Sequence, residues 1–288
     1  MGDLPHIGIM LCIYGILVVS TNLTVGMANL LTLCQAAFYG IGAYVGAFFL
    51  KTLALPLWQT ALLAFVATGL FSLIISFAST RLKGDYFILA TLGFQLIVYT
   101  ILYNWSSVTG GNDGLGDIPR AGISDLGNSQ SYLIISAILL LVTLLVFTRI
   151  QKSPFGRLLK AIKDDELAVQ TLGRNTSAVK AKAFFISSAF AGLAGIIYAS
   201  YVGVIHPDNY TLEESIFIIT ALFIGGAGDR VRGPLAGAAF VVLLPVLLRL
   251  TGMPKGIIAN FRQVVYGIVI VALAFFRPQG LLGRPNKN

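Results

Sequence analysis

The chain has 288 residues, 56% of them hydrophobic and only 11% charged, with a mean hydropathy of +0.84. Soluble domains carry roughly 25% charged residues, so a water-soluble fold of this length is excluded. The net charge of +8 is spread mainly between apolar runs, which fits a positive-inside bias and excludes a nucleic-acid reader with its basic residues gathered on one soluble face.

Nine apolar segments follow one another at 7–22, 27–50, 56–79, 86–103, 131–148, 183–205, 214–226, 234–250 and 262–276. Runs of roughly 17–25 apolar residues cross a bilayer as helices. The ~10-residue alternation of a membrane barrel is absent. The expected fold is therefore all-α, a polytopic membrane helical bundle with about 8–10 transmembrane segments in a single domain over 1–288. Ahead of the first segment, Gly2 to His6 carries no basic stretch, and no small-residue cleavage site follows, so no cleaved signal is expected. Cys12 and Cys34 fall within apolar segments and read as small core residues, with no disulfide or metal pairing expected.

The polar joins set the orientation. Arg81 and Lys83 lie between the third and fourth segments. Residues 104–130 form a long loop with Gly110, Gly111, Gly114 and Gly116 and a single basic residue, Arg120. Residues 149–182 hold eight Lys/Arg. Residues 206–214 hold none, but carry Asp208, Glu213 and Glu214. Arg230 and Arg232 follow, and the tail has Arg277, Arg284 and Lys287. With 149–182 in the cytoplasm, 81–83, 230–232 and the C-terminus also fall inside, while 104–130, 206–214 and the N-terminus fall outside. Lys51 and Lys255 are the exceptions. Segment 214–226 is too short to cross alone at 1.5 Å per residue, so at least one broken or re-entrant helix is expected.

Glycines interrupt two apolar stretches, Leu33–Gly46 and Leu222–Ala238, one in each half of the chain. Such pairs mark either internal repeats beside a substrate path or close helix packing. Gln35, Tyr39, Gly40, Gly42 and Tyr44 on the first stretch, with Thr91 and Gln95 on the fourth segment, are the candidate path residues. A polar side chain at that depth needs a partner or a cavity, so interhelical hydrogen bonding is the competing reading.

Within 149–182, Ser153-Pro154 supplies an N-cap and a first-turn proline for a short amphipathic helix with Leu158, Leu159 and Ile162 on one side. Asp164 or Asp165 can cap a second short helix with Glu166 in its first turn, Leu167, Ala168 and Leu172 as its apolar face, and Gly173 as its stop. That helix either docks on a cytoplasmic partner or rests on lipid headgroups.

The core Glu166-x-Ala168, followed by Gly173, resembles the EAA loop of ABC importer permeases, with Leu167 in place of the first alanine and a four-residue gap before the glycine. Gln35–Tyr44, Gly84-Asp85-Tyr86-Phe87 with Thr91–Phe94, Thr109–Leu115 and Phe276–Gly283 resemble, in the same order, stretches of the branched-chain amino acid ABC transporter permease family, LivM branch, which also includes urea and amide permeases. The resemblance implies a multi-pass permease of the bacterial cytoplasmic (inner) membrane. Its implied partners are a second, LivH-type permease, two cytoplasmic ATPase subunits that bind ATP and Mg, and an extracytoplasmic substrate-binding protein. Asp165, Glu166, Leu167, Ala168, Leu172 and Gly173 would be the cytoplasmic coupling helix, and Thr109, Gly110, Gly111, Asn112 and Asp113 the contact with the binding protein. The chain has no G-x-x-x-x-G-K-[ST] phosphate loop, so the ATPase must be a partner and no cofactor is expected here. Its two histidines, His6 and His206, have no partner at metal or catalytic spacing, which leaves no catalytic residue and no enzyme. Branched-chain amino acids are the expected cargo, with urea or short amides as the alternative. A stand-alone secondary transporter or channel is the reading from another class.

Overall fold

Long runs of Leu, Ile, Val and Phe leave the backbone no partner but itself in hydrocarbon, and helices result. The computed structural model describes residues 3–82, 84–120, 128–228, 231–250, 264–269 and 271. In chain order these form α1 (Asp3–Thr21), which continues as a π-helical turn (Asn22–Met27), then α2 (Gln35–Thr52), α3 (Leu57–Arg81), α4 (Asp85–Asn104) and the one-turn α5 (Ser106–Thr109). They continue as α6 (Asn128–Lys152), α7 (Pro154–Asp164), α8 (Glu166–Thr171), α9 (Thr176–Val202), α10 (Leu212–Gly225) and α11 (Arg232–Leu250), with a further helical stretch at 264–269. Among the described residues no strand forms; a lone antiparallel bridge joins Leu115 to Ile205.

Leu4–Met27, Leu57–Ala78, Asp85–Asn104, Ser129–Lys152 and Thr176–Val202 are long and apolar enough to cross a membrane. The chain is thus an all-α polytopic membrane bundle. α1 and α9 are its buried axis, and α6 faces outward along most of its length. α9 packs on α2 and α3, and α1 packs on α6, α9 and α11. The outward faces of α3, α4 and α6 present Trp58, Leu62, Leu70, Ile97, Ile138 and Leu145, side chains that suit lipid tails. α2 and α9 approach backbone to backbone. A methyl group on Gly42 would overlap the backbone of Gly192, and one on Gly195 would overlap the Tyr39 carbonyl. These glycines let the two backbones touch, as small residues do between membrane helices.

Two of the apolar segments are interrupted. The run at 27–50 does not form one helix: the backbone leaves helical geometry after Met27, turns with Asn29 at φ 53°, and re-enters a helix only at Gln35. In the second half, α10 has 14 residues, about 21 Å at 1.5 Å each, against a hydrocarbon core of about 30 Å. It ends at Gly226, and α11 returns antiparallel against it, with Gly225 and Gly237 in backbone contact with Gly233 and Ala221. The two breaks meet: Asn22 Nδ2 donates to the Gly228 carbonyl at 2.8 Å, and Gly228 N–H donates to Asn22 Oδ1 at 2.9 Å. The ninth segment, 262–276, is described only over 264–269 and 271. Lys83, Arg230, Lys255 and the stretch Phe276–Gly283 lie outside the described residues.

Candidate coupling and path sites

The basic stretch folds as expected from its caps. Ser153 Oγ accepts from Gly156 N–H at 3.2 Å, with Pro154 in the first turn of α7. Leu159 and Ile162 of α7 are buried. Lys163 Nζ donates to the Gly26 carbonyl at 2.9 Å, which ties α7 to the π turn beside the meeting point of the two breaks. Of the two aspartates that could cap α8, Asp165 does so, accepting from Ala168 N–H at 3.0 Å. At the other end Gly173 sits at φ 74°, a left-handed conformation that glycine takes cheaply. Gly173 N–H donates to Gln170 O and Arg174 N–H to Val169 O, a Schellman closure.

Around that frame the side chains divide. Leu167 (63%) and Leu172 (79%) are among the more exposed apolar residues, and Ala168 is exposed beside them. Glu166 points back into its own chain, where Lys180 of α9 donates to its Oε1 at 2.6 Å. Lys180 is buried, and Val169 is the apolar anchor of α8. Sequence reasoning missed both. Lys180 stands 14 residues from Glu166 across a turn, so no local spacing announces the pair, and Val169 is indistinguishable by type from the exposed leucines.

The seven candidate path residues converge at the start of α2, deep in the bundle. α2 begins there with Cys34 at its cap position and no side-chain cap of its own. Its first N–H groups are satisfied from other helices. Ala36 N–H donates to Ser215 Oγ at 2.9 Å and Ala37 N–H to Gln95 Oε1 at 2.7 Å. Just before α2, Leu33 N–H donates to Thr91 Oγ1 at 3.0 Å. Gln95 Nε2 donates to the Tyr210 carbonyl at 2.7 Å, and Ser215 Oγ donates to Gln95 Oε1 at 3.2 Å. Gln35 Nε2 donates to Ser20 Oγ, and Ser187 Oγ donates to the Ser20 carbonyl. Gln35, Thr91 and Gln95 are all buried. Tyr210 fills the space beside this network: its ring packs edge-on to Tyr39 at 5.1 Å and to Tyr44 at 5.8 Å, over Gly40. Gly42 lies against Gly192. The group is brought together as a closed core in which Gln35, Thr91 and Gln95 are hydrogen-bonded, while the Tyr44 and Tyr210 hydroxyls are buried with no hydrogen-bond partner among the described residues.

Tyr210 reaches that position because the 203–211 link folds inward. The sequence reads this link as a solvated loop. In the structure Tyr210 is fully buried, and Glu214 accepts from Tyr14 Oη at 2.6 Å. Tyr14 lies about 16 Å along α1 at 1.5 Å per residue, so this carboxylate sits at mid-helix depth.

At the end opposite the basic stretch, the glycine-rich loop is a folded cap. Thr109 Oγ1 donates to the carbonyls of Leu102 and Trp105, both at 2.7 Å. Gly110 and Gly111 take positive φ, and Leu115 and Ile205 exchange both backbone hydrogen bonds. Lys51 Nζ donates to the Gly116 carbonyl, and Tyr99 Oη to Asp208. Thr109 and Gly111 are buried as parts of the turn, so of the five candidate contact residues Asn112 and Asp113 have exposed side chains to offer. Residues 121–127 of this loop lie outside the described residues. Among the described residues no three His, Cys, Asp or Glu side chains gather as metal ligands, and Cys12 and Cys34 are buried and unpaired.

Residues 6–274 match the family described as the branched-chain amino acid transport system / permease component. The chain is 32% identical over 301 residues to the high-affinity branched-chain amino acid transport system permease protein LivM of Salmonella typhimurium, with 96% of this chain and 69% of that protein covered. It is 31% identical over 295 residues to LivM of Escherichia coli, covering 94% and 68%. It is 23% identical over 299 residues to the permease protein LivH of Salmonella typhimurium, covering 94% and 92%. No solved structure matches the chain.

Proposed function

Because the chain belongs to the permease family of branched-chain amino acid transport systems, we propose that it is one of two permeases of an ATP-driven importer that carries branched-chain amino acids inward. Its counterpart is a LivH-type permease, since this chain is also related along nearly its whole length to LivH. Two ATPase subunits dock on the basic end, which is cytoplasmic, as is the C-terminus. An extracytoplasmic binding protein docks on the cap that displays Asn112 and Asp113. ATP and Mg belong to the ATPase subunits, and this chain performs no chemistry.

The observation that carries the reading is α8. A six-residue helix, closed by caps at both ends, holds Leu167 and its C-cap residue Leu172 out of the protein at the basic end of the bundle, where both are exposed among the described residues. Exposed aliphatics on a rigid short helix fit a groove on a partner. Motion imposed there reaches the bundle by two routes: from α8 through Glu166 to Lys180 on α9, and from α7 through Lys163 to Gly26, beside the contact of the two helix breaks. Both routes lead to the helices that surround the start of α2. Gln35, Tyr39, Gly40, Gly42, Tyr44, Thr91 and Gln95 are packed together, and we assign them to the wall of the route when α2 and the 203–211 link separate.

The test is uptake by the reconstituted complex with its binding protein. Labelled leucine should accumulate only with ATP on the α8 side. Accumulation of urea or acetamide without leucine would overturn the substrate class, and leucine flux without ATP would favour a stand-alone carrier.

A further inference from the structure

The basic end holds a cavity of about 330 Å³ beside the Glu166–Lys180 pair. It lies between the unwound link after Met27, the first turn of α4, α7, α8 and α9, and its size falls within the roughly 300–1,000 Å³ of small-molecule sites. Three charged side chains line it: Lys180, Glu166 and Asp85. Leu31, Ile88 and Ile162 supply an aliphatic wall. Lys180 is buried and spends one of its three donors on Glu166, its one partner among the described residues. Asp85 forms no hydrogen bond with another described residue through its side chain, lines the cavity and is exposed.

This charge set selects a chemistry. A simple anion would meet two carboxylates, and a simple cation would meet a buried ammonium. A molecule with an ammonium and a carboxylate on one carbon satisfies both signs, and a branched alkyl group completes the fit to the aliphatic wall. We propose that the cavity is a cytoplasm-facing binding site for an aliphatic amino acid zwitterion, whose carboxylate competes with Glu166 for Lys180. Occupancy would then loosen the link between α8 and α9, so the site reads the inner concentration of amino acid at the point where the ATPase acts. The choice of L-leucine as probe rests on the proposed substrate class; the demand for both charges rests on the cavity.

The experiment uses the complete transporter in nanodiscs with Ile88→Cys placed in the cavity wall. Both native cysteines of this chain are buried, so the introduced thiol is the accessible one on this chain, and alkylation is read on this chain alone by its mass. L-leucine at ten times its Kd should slow maleimide alkylation of this thiol about tenfold by mass action. 4-Methylpentanoate, which lacks the ammonium, and isoamylamine, which lacks the carboxylate, should not protect at the same concentration. Lys180→Met should abolish the protection by leucine. Asp85→Asn, a change at an exposed first-turn position that leaves the fold intact, should weaken it severalfold. Absence of protection, equal protection by the single-charge analogues, or protection that survives both substitutions would each overturn the site. Leucine uptake by the unsubstituted transporter is measured in parallel. Uptake without protection refutes the cavity assignment alone, whereas absence of leucine uptake refutes the substrate class.

Discussion

Gln95→Leu tests whether α2 is capped from other helices. Gln95 is fully buried and makes three hydrogen bonds: it accepts from Ala37 N–H and from Ser215 Oγ and donates to the Tyr210 carbonyl. Leucine fills a similar volume, so packing changes little. Ala37 N–H then has no acceptor, and Tyr210 C=O no donor, at a depth where water does not replace them. Hydrogen bonds between membrane helices average about 0.6 kcal/mol each, which sets a floor near 2 kcal/mol for three. Orphaning two buried backbone groups at about 1–3 kcal/mol apiece raises the expectation to about 2–6 kcal/mol. Thr91→Val removes the acceptor for Leu33 N–H and keeps the shape, so it should cost about 1 kcal/mol. The assay is unfolding of the purified protein in mixed micelles with increasing SDS, read by the loss of helical signal. An unfolding midpoint for Gln95→Leu equal to that of the unsubstituted protein, or a Thr91→Val variant as unstable as Gln95→Leu, would refute the capping account.

The sequence made the spans and the coupling region legible because both are written in short-range terms. Hydropathy reports transfer into lipid, and it placed α1, α3, α4, α6 and α9. Ser153-Pro154, Asp165 and Gly173 are local stop and start signals, and each performs the role its type suggests. What stayed hidden was long-range hydrogen bonding. Leu30, Leu31 and Leu33 are as apolar as any helix interior, so a transfer scale reads them as part of a span. They are non-helical because the backbone there finds partners elsewhere, such as Thr91 for Leu33, which lies 58 residues away in sequence. Tyr210 was hidden for the opposite reason. Asp208, Glu213 and Glu214 flank it and make the link look solvated, yet Gln95 holds its carbonyl inside the bundle and Tyr14 meets the Glu214 carboxylate. Charge near a residue does not fix the depth of that residue when the bundle itself supplies polar partners.

Gly42→Leu should push α2 from α9, because Gly192 backbone occupies the place of the new side chain. Overpacking of this kind costs about 1–3 kcal/mol, and SDS unfolding should show a lowered midpoint, whereas an unchanged midpoint would mean that the two helices are not in backbone contact. The last test separates docking from folding at α8. Leu172→Asp replaces a side chain that is 79% exposed and touches no buried partner that the helix depends on, since Val169 and the Glu166–Lys180 pair hold α8 in place. Surface substitutions of this kind change stability by no more than about 0.5 kcal/mol, so the isolated chain should unfold as before. The groove that receives Leu172 on an ATPase subunit would instead have to accept a carboxylate without water, at a cost of several kcal/mol. Co-purification of the ATPase subunits and ATP-driven leucine uptake should therefore fall together, by tenfold or more for each ~1.4 kcal/mol lost. Gly173→Ala provides the contrast: its methyl group would meet open space, so its cost is the left-handed backbone alone, about 1–2 kcal/mol, and it should weaken docking by loosening the α8 stop while leaving the leucines in place. If Leu172→Asp retained full uptake while Gly173→Ala lost it, the outward leucines would not be what the partner grips, and the force would have to enter through the frame of α8.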